Sequence, residues 1–153
     1  MKRHRSLHIL SQDHHNGLIT AQLIKKNSPE YPKLPKSIEG KRDYTVRFYD
    51  EELVGHFADE EEILFPVLKG RVNELDELVK ELTEEHRIIE DYIKKLKLKE
   101  DIEINLDKLG NILENHIRKE ERILFPKVQE TLNEKELNKV GEILSRSRKS
   151  TFN

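Results

Sequence analysis

The chain has 153 residues, which is enough for one domain with a substantial core and too few to expect two. Its net charge of -2 gives no basic field that would attract nucleic acid or an anionic membrane. It contains no cysteine, which excludes disulfides and thiolate metal sites and leaves His, Asp and Glu as the strong metal ligands.

The composition of the chain favours helices. Charged residues make up 38% of the chain and hydrophobic residues 35%, as in amphipathic helices with exposed charged faces. We therefore expect a single all-α domain over residues 1–153, with its core at about 10–130. The basic N-terminus is followed by no apolar run long enough for a signal peptide or a membrane span, so we expect a cytoplasmic location.

The first helix is predicted to begin after Ser11, a favourable N-cap, or as early as Ser6. His14 and Leu18 follow helical spacing along one apolar stripe, whereas His15 falls beside that stripe. We therefore favour His14 as the inward histidine of this helix and keep His15 as the alternative.

The second helix follows a loop that three prolines predict between residues 27 and 41. Asp43 is its predicted N-cap. Pro66 cannot donate a hydrogen bond to the carbonyl of Glu62, so we expect this helix to kink or to end near the proline. Pro126 stands in the same relation to Arg122 in a later helix.

Two further helices complete the predicted core. Asn73 is the predicted N-cap of the third helix and Asn105 that of the fourth. His86 stands in the middle of the apolar stripe of the third helix, with Glu90 one turn further on. Four helices of comparable length predict an up-down-up-down four-helix bundle. A later capping signal predicts a short fifth helix over residues 135–146, with a mobile tail after Ser147.

One phrase occurs twice, as HFADEEEILFP at residues 56–66 and as HIRKEERILFP at residues 116–126. A His and a Glu four residues apart lie on the same face of a helix. His56 with Glu60, and His116 with Glu120, therefore form two clamps that can each reach one point in space. Because imidazole binds zinc, copper, iron and nickel, and a carboxylate can bridge two ions, two facing clamps indicate a binuclear metal site.

Each of the four helices contributes one histidine to the apolar seam. A buried His or carboxylate costs free energy unless its polar atoms are paired or bound to metal. Taken singly, such a residue is more often a satisfied polar core group. The set that needs one common explanation is His14, His56, Glu60, His86, His116 and Glu120. A shared metal centre accounts for the whole set, and a structural polar core is the alternative.

These motifs, in this order, resemble the hemerythrin-like HHE cation-binding domains, a family of four-helix bundles that hold two non-heme irons. The residues that carry the resemblance are Asp13-His14-His15, Glu85-His86 and both copies of the repeated phrase. The resemblance implies that His14, His56, His86 and His116 are terminal ligands and that Glu60 and Glu120 bridge the irons. It also implies an oxo- or hydroxo-bridged di-iron cofactor.

The chain departs from the oxygen-carrying hemerythrins at Glu90, where those proteins have a second histidine four residues after the one that matches His86. This departure weakens the expectation of reversible oxygen carriage. If Glu90 is a ligand, about one coordination position stays open for oxygen, peroxide or another small molecule, and about two stay open without it. Glu61 and Glu121, one helical step from the bridges, are predicted to support the ligands or to face solvent.

The leading functional hypothesis is a non-heme di-iron protein that binds or senses oxygen, iron or a related small molecule. The alternatives are a di-iron enzyme that reduces peroxide, nitric oxide or oxygen, and a metal-free helical interaction module. The sequence identifies no protein partner. It contains neither the Glu-x-x-His motif of ferritin-like proteins nor the His-Glu-x-x-His motif of zinc proteases.

Overall fold

The computed structural model describes residues 1–151, with the side chains of residues 1–149, and this part of the chain is all helical. Helix α1 is His8–Ile24, after a 3-10 turn at Arg5–Leu7; α2 runs over residues 38–68, α3 is Asn73–Lys97, α4 runs over residues 102–131, and α5 is Glu134–Thr151. The first four helices form the expected up-down-up-down bundle. No helix in residues 1–151 is both long enough and apolar enough to cross a membrane.

Helices α2 and α4 each contain a π-turn directly before the Phe-Pro pair of the repeated phrase, at Glu60–Leu64 and Glu120–Leu124. In each turn the backbone N–H of the phenylalanine donates to the carbonyl of the glutamate five residues earlier. The proline, which has no N–H, follows directly. The interruption expected at the prolines is therefore a π-bulge, and the helices continue through Phe65–Leu68 and Phe125–Thr131.

The N-caps predicted at Ser11, Asp43, Asn73 and Asn105 are all wrong. Helix α1 begins at His8, so Ser11 lies inside it. Helix α3 begins at Asn73 itself, and Val72 occupies the N-cap position.

Helix α2 begins at Ile38, where the side chain of Ser37 accepts a hydrogen bond of 3.0 Å from the backbone N–H of Gly40, and Asp43 lies inside the helix. Helix α4 begins at Ile102, so Asn105 also lies inside its helix and donates to the carbonyl of Glu100 at 2.8 Å. In both cases the helix starts before the residue that was expected to cap it.

Helix α5 is longer than predicted, whereas its capping signal is confirmed. The Asn133 side chain accepts from the backbone N–H of Glu136 at 2.8 Å, and the Glu136 carboxylate accepts from the N–H of Asn133 at 3.0 Å. The helix continues to Thr151, so the expectation of a mobile tail after Ser147 is wrong up to that residue. Residues 152–153 of that tail lie outside the described part of the chain.

The apolar core consists of two clusters with a polar layer between them. Along α3, Leu82 belongs to one cluster and Ile89 to the other, and His86 lies between them. Along α4, Leu113 and Leu124 belong to different clusters in the same way, and His116 and Glu120 lie between them. The helical stripes therefore bring the polar residues of α1 to α4 to one level of the bundle, with an apolar layer on each side.

Helices α1 and α4 pack closely at Gly110. A Cβ atom at this position would lie 2.8 Å from the carbonyl oxygen of Ala21 and 3.0 Å from Cγ1 of Ile24. Gly55 lies on an exposed part of α2, where an added Cβ would meet nothing within 4 Å. Alanine substitutions at these two helical glycines can therefore distinguish the effect of packing on stability from the effect of helix propensity.

We expect Gly110→Ala to lower the free energy of unfolding by about 1–3 kcal/mol, because the methyl group forces two backbones apart. Gly55→Ala should raise it by about 0.5–1 kcal/mol, because alanine loses less backbone entropy in a helix. Urea unfolding of both variants and the parent chain measures the difference. An equal gain at both positions would show that α1 and α4 do not approach at Gly110 as described.

Candidate metal centre

Six polar side chains from α1 to α4 meet in the layer between the two apolar clusters. Each is at most 5% exposed. They are His14 from α1, His56 and Glu60 from α2, His86 from α3, and His116 and Glu120 from α4. His15 is exposed, so the prediction that His14 is the inward histidine of the first helix is confirmed. The structure therefore brings together the six residues for which the sequence required one explanation.

The six side chains form two overlapping groups, in each of which the candidate ligand atoms lie within 4.8 Å of one another. The first group is His14, His56, Glu60 and Glu120, and the second is Glu60, His86, His116 and Glu120. Both glutamates belong to both groups. Each group thus combines two imidazoles with two shared carboxylates.

Four atoms of this cluster are buried without a hydrogen-bond partner among the described residues: Nε2 of His56, Nε2 of His116, Oε2 of Glu60 and Oε2 of Glu120. The closest approach of His56 Nε2 to Glu60 is 3.4 Å and that of His116 Nε2 to Glu120 is 3.7 Å. Buried polar atoms in proteins are nearly always paired, and an unpaired set needs an explanation. The nitrogen and oxygen lone pairs converge in one place, so these residues fit a bound cation.

The second ring nitrogen of each histidine, Nδ1, contacts a carboxylate outside the cluster. The four contacts are Glu121 to His14 at 2.6 Å, Asp13 to His56 at 2.8 Å, Glu61 to His86 at 2.8 Å and Glu85 to His116 at 2.7 Å. A carboxylate at Nδ1 accepts the ring proton and leaves the Nε2 lone pair directed into the cluster. The carboxylates therefore orient all four rings.

Each of these carboxylates is in turn paired with a basic side chain, which gives four chains of histidine, carboxylate and cation. They are His14–Glu121–Arg3, His56–Asp13–Arg148, His86–Glu61–Arg87 and His116–Glu85–Lys119. The charge alternates outward from the cluster. Glu61 and Glu121 thus support the histidines, as one of the two sequence interpretations predicted.

Sequence analysis assigned no role to Asp13 or Glu85. Each directly precedes a cluster histidine, His14 or His86, but orients the histidine of the next helix. The sequence did contain one indication of these carboxylates, because an acidic residue directly precedes the inward histidine in both halves of the chain. Their partners lie 43 and 31 positions away in the chain, so helical periodicity gives no indication of these contacts.

Aromatic rings cover the cluster on the side of the histidines. Phe125 stacks on His14 with ring centroids 5.5 Å apart, and Phe65 stacks on His86 at 6.1 Å. Phe57, to which sequence analysis gave no role, stacks more closely on His86, at 3.8 Å. These rings exclude water from the cluster and so strengthen the electrostatic interactions inside it.

Glu90 is the one predicted site residue that the structure leaves outside both groups. Its carboxylate is partly exposed and forms an ion pair of 3.4 Å with Arg87. Coordination of metal by Glu90 therefore stays a prediction.

The environment separates the protonation states of two of the histidines. Burial alone would lower the pKa of His14, but its hydrogen bonds with Glu120 and Glu121 raise that pKa to about 9. Burial and the nearby charge of His116 lower the pKa of His86 to about 2. Between the two glutamates, burial and the charge of Glu120 raise the pKa of Glu60, since two neighbouring carboxylates in a dry interior favour a shared proton.

We expect chelator-treated protein to keep His14 protonated and His86 neutral between pH 7 and pH 8. Because the folded-state pKa of His14 lies above the ordinary histidine value of 6.5, its proton stabilises the fold below pH 6.5, and this contribution is lost as the pH rises through about 9. His86, with a folded-state pKa below 6.5, destabilises the fold increasingly as the pH falls below 6.5. NMR titration of the imidazole rings measures both states, and a neutral His14 at pH 7 would contradict the expected contacts.

A family model described as the hemerythrin HHE cation binding domain matches residues 5–128. Comparison with curated proteins and comparison with solved structures gave no match to the chain. The matched range includes all six buried cluster residues and ends before α5. The sequence motifs, the four-helix bundle and the convergent histidines and glutamates agree with this match, and the chain belongs to the hemerythrin HHE cation-binding domain family.

Proposed function

We propose that this chain is a non-heme di-iron protein. Its metal centre would lie inside the bundle, among all four helices α1 to α4, and would bind a small molecule such as oxygen, peroxide or nitric oxide. The terminal ligands would be His14, His56, His86 and His116, and the bridging ligands would be Glu60 and Glu120. The observation that carries the proposal is the convergence of four unpaired buried ligand atoms in two groups that share both glutamates.

Two metal ions fit this cluster better than one. Each group offers two imidazoles and two carboxylates, and the groups share only the carboxylates. A single ion would leave the histidines of one group without a partner in the interior, at a cost in free energy. Two ions would also offset the charge of two fully buried carboxylates.

Iron fits the donor set because two histidines with carboxylate ligands and open coordination positions are typical of non-heme iron sites. When bound, a pair of irons supplies redox chemistry and positions for a small ligand. The chain's own residues hold the ligand set in place. The Nδ1 carboxylates fix the tautomer and the orientation of each imidazole, which raises its basicity as a ligand.

A small void adjoins the cluster on the side of His14, His56 and His116, and its size limits the ligands that could bind there. Its volume is about 10 Å³, and its apolar lining consists of Gly17, Leu53, Phe57, Leu113 and Ile117. A cavity of this size is at the lower limit for one water molecule. A two-atom ligand would therefore enter by displacing a lining side chain, and larger molecules would be excluded.

The proposal predicts about two iron atoms per chain after anaerobic reconstitution. His56→Ala and His116→Ala should each lose metal, because each removes a ligand from one group, and a chelator should lower the melting temperature of the loaded parent chain. His15→Ala is the matched control and should keep both irons, since His15 is exposed on the same helix as His14. Metal analysis measures the content. If the parent chain takes up no metal, the proposal is wrong.

A second prediction concerns the small molecule. Gly17 and Ile117 both line the void, and a Cβ at Gly17 would lie 2.6 Å from Cδ1 of Ile117, so Gly17→Ala should crowd the lining and reduce the space for a ligand. We expect Gly17→Ala to retain the irons and to bind nitric oxide at least about tenfold more weakly than the parent, if a contact of this kind costs 1–3 kcal/mol. Optical titration of the loaded proteins measures binding. Consumption of nitric oxide or peroxide over many cycles would identify the enzyme alternative instead, and unchanged affinity would exclude this void as the binding position.

A further inference from the structure

The two metal positions of the proposed centre obtain their outer cations from different parts of the chain. The carboxylates of His86 and His116 pair with Arg87 on α3 and Lys119 on α4. Those of His14 and His56 pair with Arg3 and Arg148, which precede and follow the family-matched residues 5–128. The first position is thus tied to both terminal segments of the described chain.

The contact of Arg148 with Asp13 is the more complete of the two terminal ones. Its guanidinium donates to both oxygens of Asp13, at 3.0 Å and 2.5 Å, and its Nε donates to Asp59 at 2.7 Å. The same Oδ2 atom of Asp13 lies 2.8 Å from Nδ1 of His56. A planar guanidinium that holds both oxygens fixes the carboxylate plane, which fixes the imidazole ring in turn.

The repeated phrase explains why the first half needs this arginine. In the second copy Lys119 directly precedes the bridging Glu120 and lies 2.5 Å from Glu85. The equivalent residue of the first copy is Asp59, an acid that is 5% exposed. Asp59 cannot neutralise Asp13, and the structure pairs both acids with Arg148 of α5. The cation that α4 supplies for its own half is supplied to the other half from outside the bundle.

Arg3 has a related position at the other end of the chain. Its guanidinium donates to the backbone carbonyl of Glu121 at 2.7 Å and lies 3.4 Å from the Glu121 carboxylate, which contacts His14 Nδ1. It also lies over the ring of Phe125, 5.0 Å from the centroid, which helps to hold it in place.

We propose that Arg148 and Arg3 are positioning residues for the metal position of His14 and His56, so that docking of α5 and of the N-terminal segment sets the metal affinity of that position alone. The inference rests on the proposed di-iron function. Loss of a supporting contact of this kind lowers metal affinity by about 10- to 100-fold. Undocking of α5 would then release one metal and leave the other bound.

The test uses the full chain and anaerobic iron(II), with a competing chelator to measure the two binding steps. Arg148→Gln should weaken one step by about 10- to 100-fold and leave the other within about threefold, and Arg3→Gln should act in the same direction. Lys139→Gln removes a charge from an exposed position of α5 and should bind as the parent does. Arg148→Lys should recover part of the loss, because lysine keeps the charge but not the fork.

A His116→Ala background assigns the affected position, since it removes a ligand of the second group only. In this background Arg148→Gln should lower the affinity of the remaining step, whereas Lys119→Gln should change it little. Addition of Arg148→Gln to Asp13→Asn should cost nothing further, because Arg148 acts through Asp13. If Arg148→Gln does not fold, Asp13→Asn and Arg148→Lys can be used to measure the effect of this contact on metal affinity.

Two results have different consequences. If the parent chain binds two irons and every Arg148 variant binds both with parental affinity, the positioning role is wrong and the di-iron proposal stands. If the parent chain binds no metal, both proposals fail. Additive losses in the Asp13→Asn cycle would also overturn the positioning role, since they would mean that Arg148 acts elsewhere.

Discussion

The burial of Glu60 and Glu120 at the centre of the bundle is the constraint on which the rest of this structure depends. Both side chains are fully buried, and a carboxylate in such a place destabilises the fold unless positive charge or hydrogen bonds compensate for it. The surrounding histidines, their outer carboxylates and the basic residues beyond them follow from this requirement. The result is an interior in which charge alternates outward over three layers, enclosed above and below by apolar clusters.

Local backbone geometry serves the same constraint. Glu60 and Glu120 each begin a π-turn, and the adjacent residues at the end of each turn, Leu64 with Phe65 and Leu124 with Phe125, are buried together. All four residues belong to one apolar cluster, and the two phenylalanines also stack on His14 and His86 of the polar layer.

The sequence predicted the bundle and the central cluster because both depend on spacing along a helix. His56 with Glu60 repeats as His116 with Glu120, and this spacing is visible in one dimension. Contacts between distant helices are not, which is why the role of Asp13 in orienting His56 and that of Arg148 beyond it appear only in three dimensions. The N-caps at Asp43 and Asn105 were misassigned because these residue types also occur inside helices, where their side chains contact other groups.

The metal-free and the proposed metal-loaded forms can share one fold because protons and metal ions can both compensate for the negative charge of the buried carboxylates. Without metal, the raised pKa of Glu60 and the raised pKa of His14 place protons among the cluster residues, which lowers the repulsion between the carboxylates. Coordination needs a neutral imidazole and ionised carboxylates, so metal uptake displaces these protons. The outer carboxylates hold the rings in the same orientation throughout, since their contacts are made at Nδ1 and not at the nitrogen that faces the cluster. The orientation of the four imidazoles is thus set by the protein's own contacts, and the two apolar clusters on either side of the polar layer stabilise the bundle in both forms.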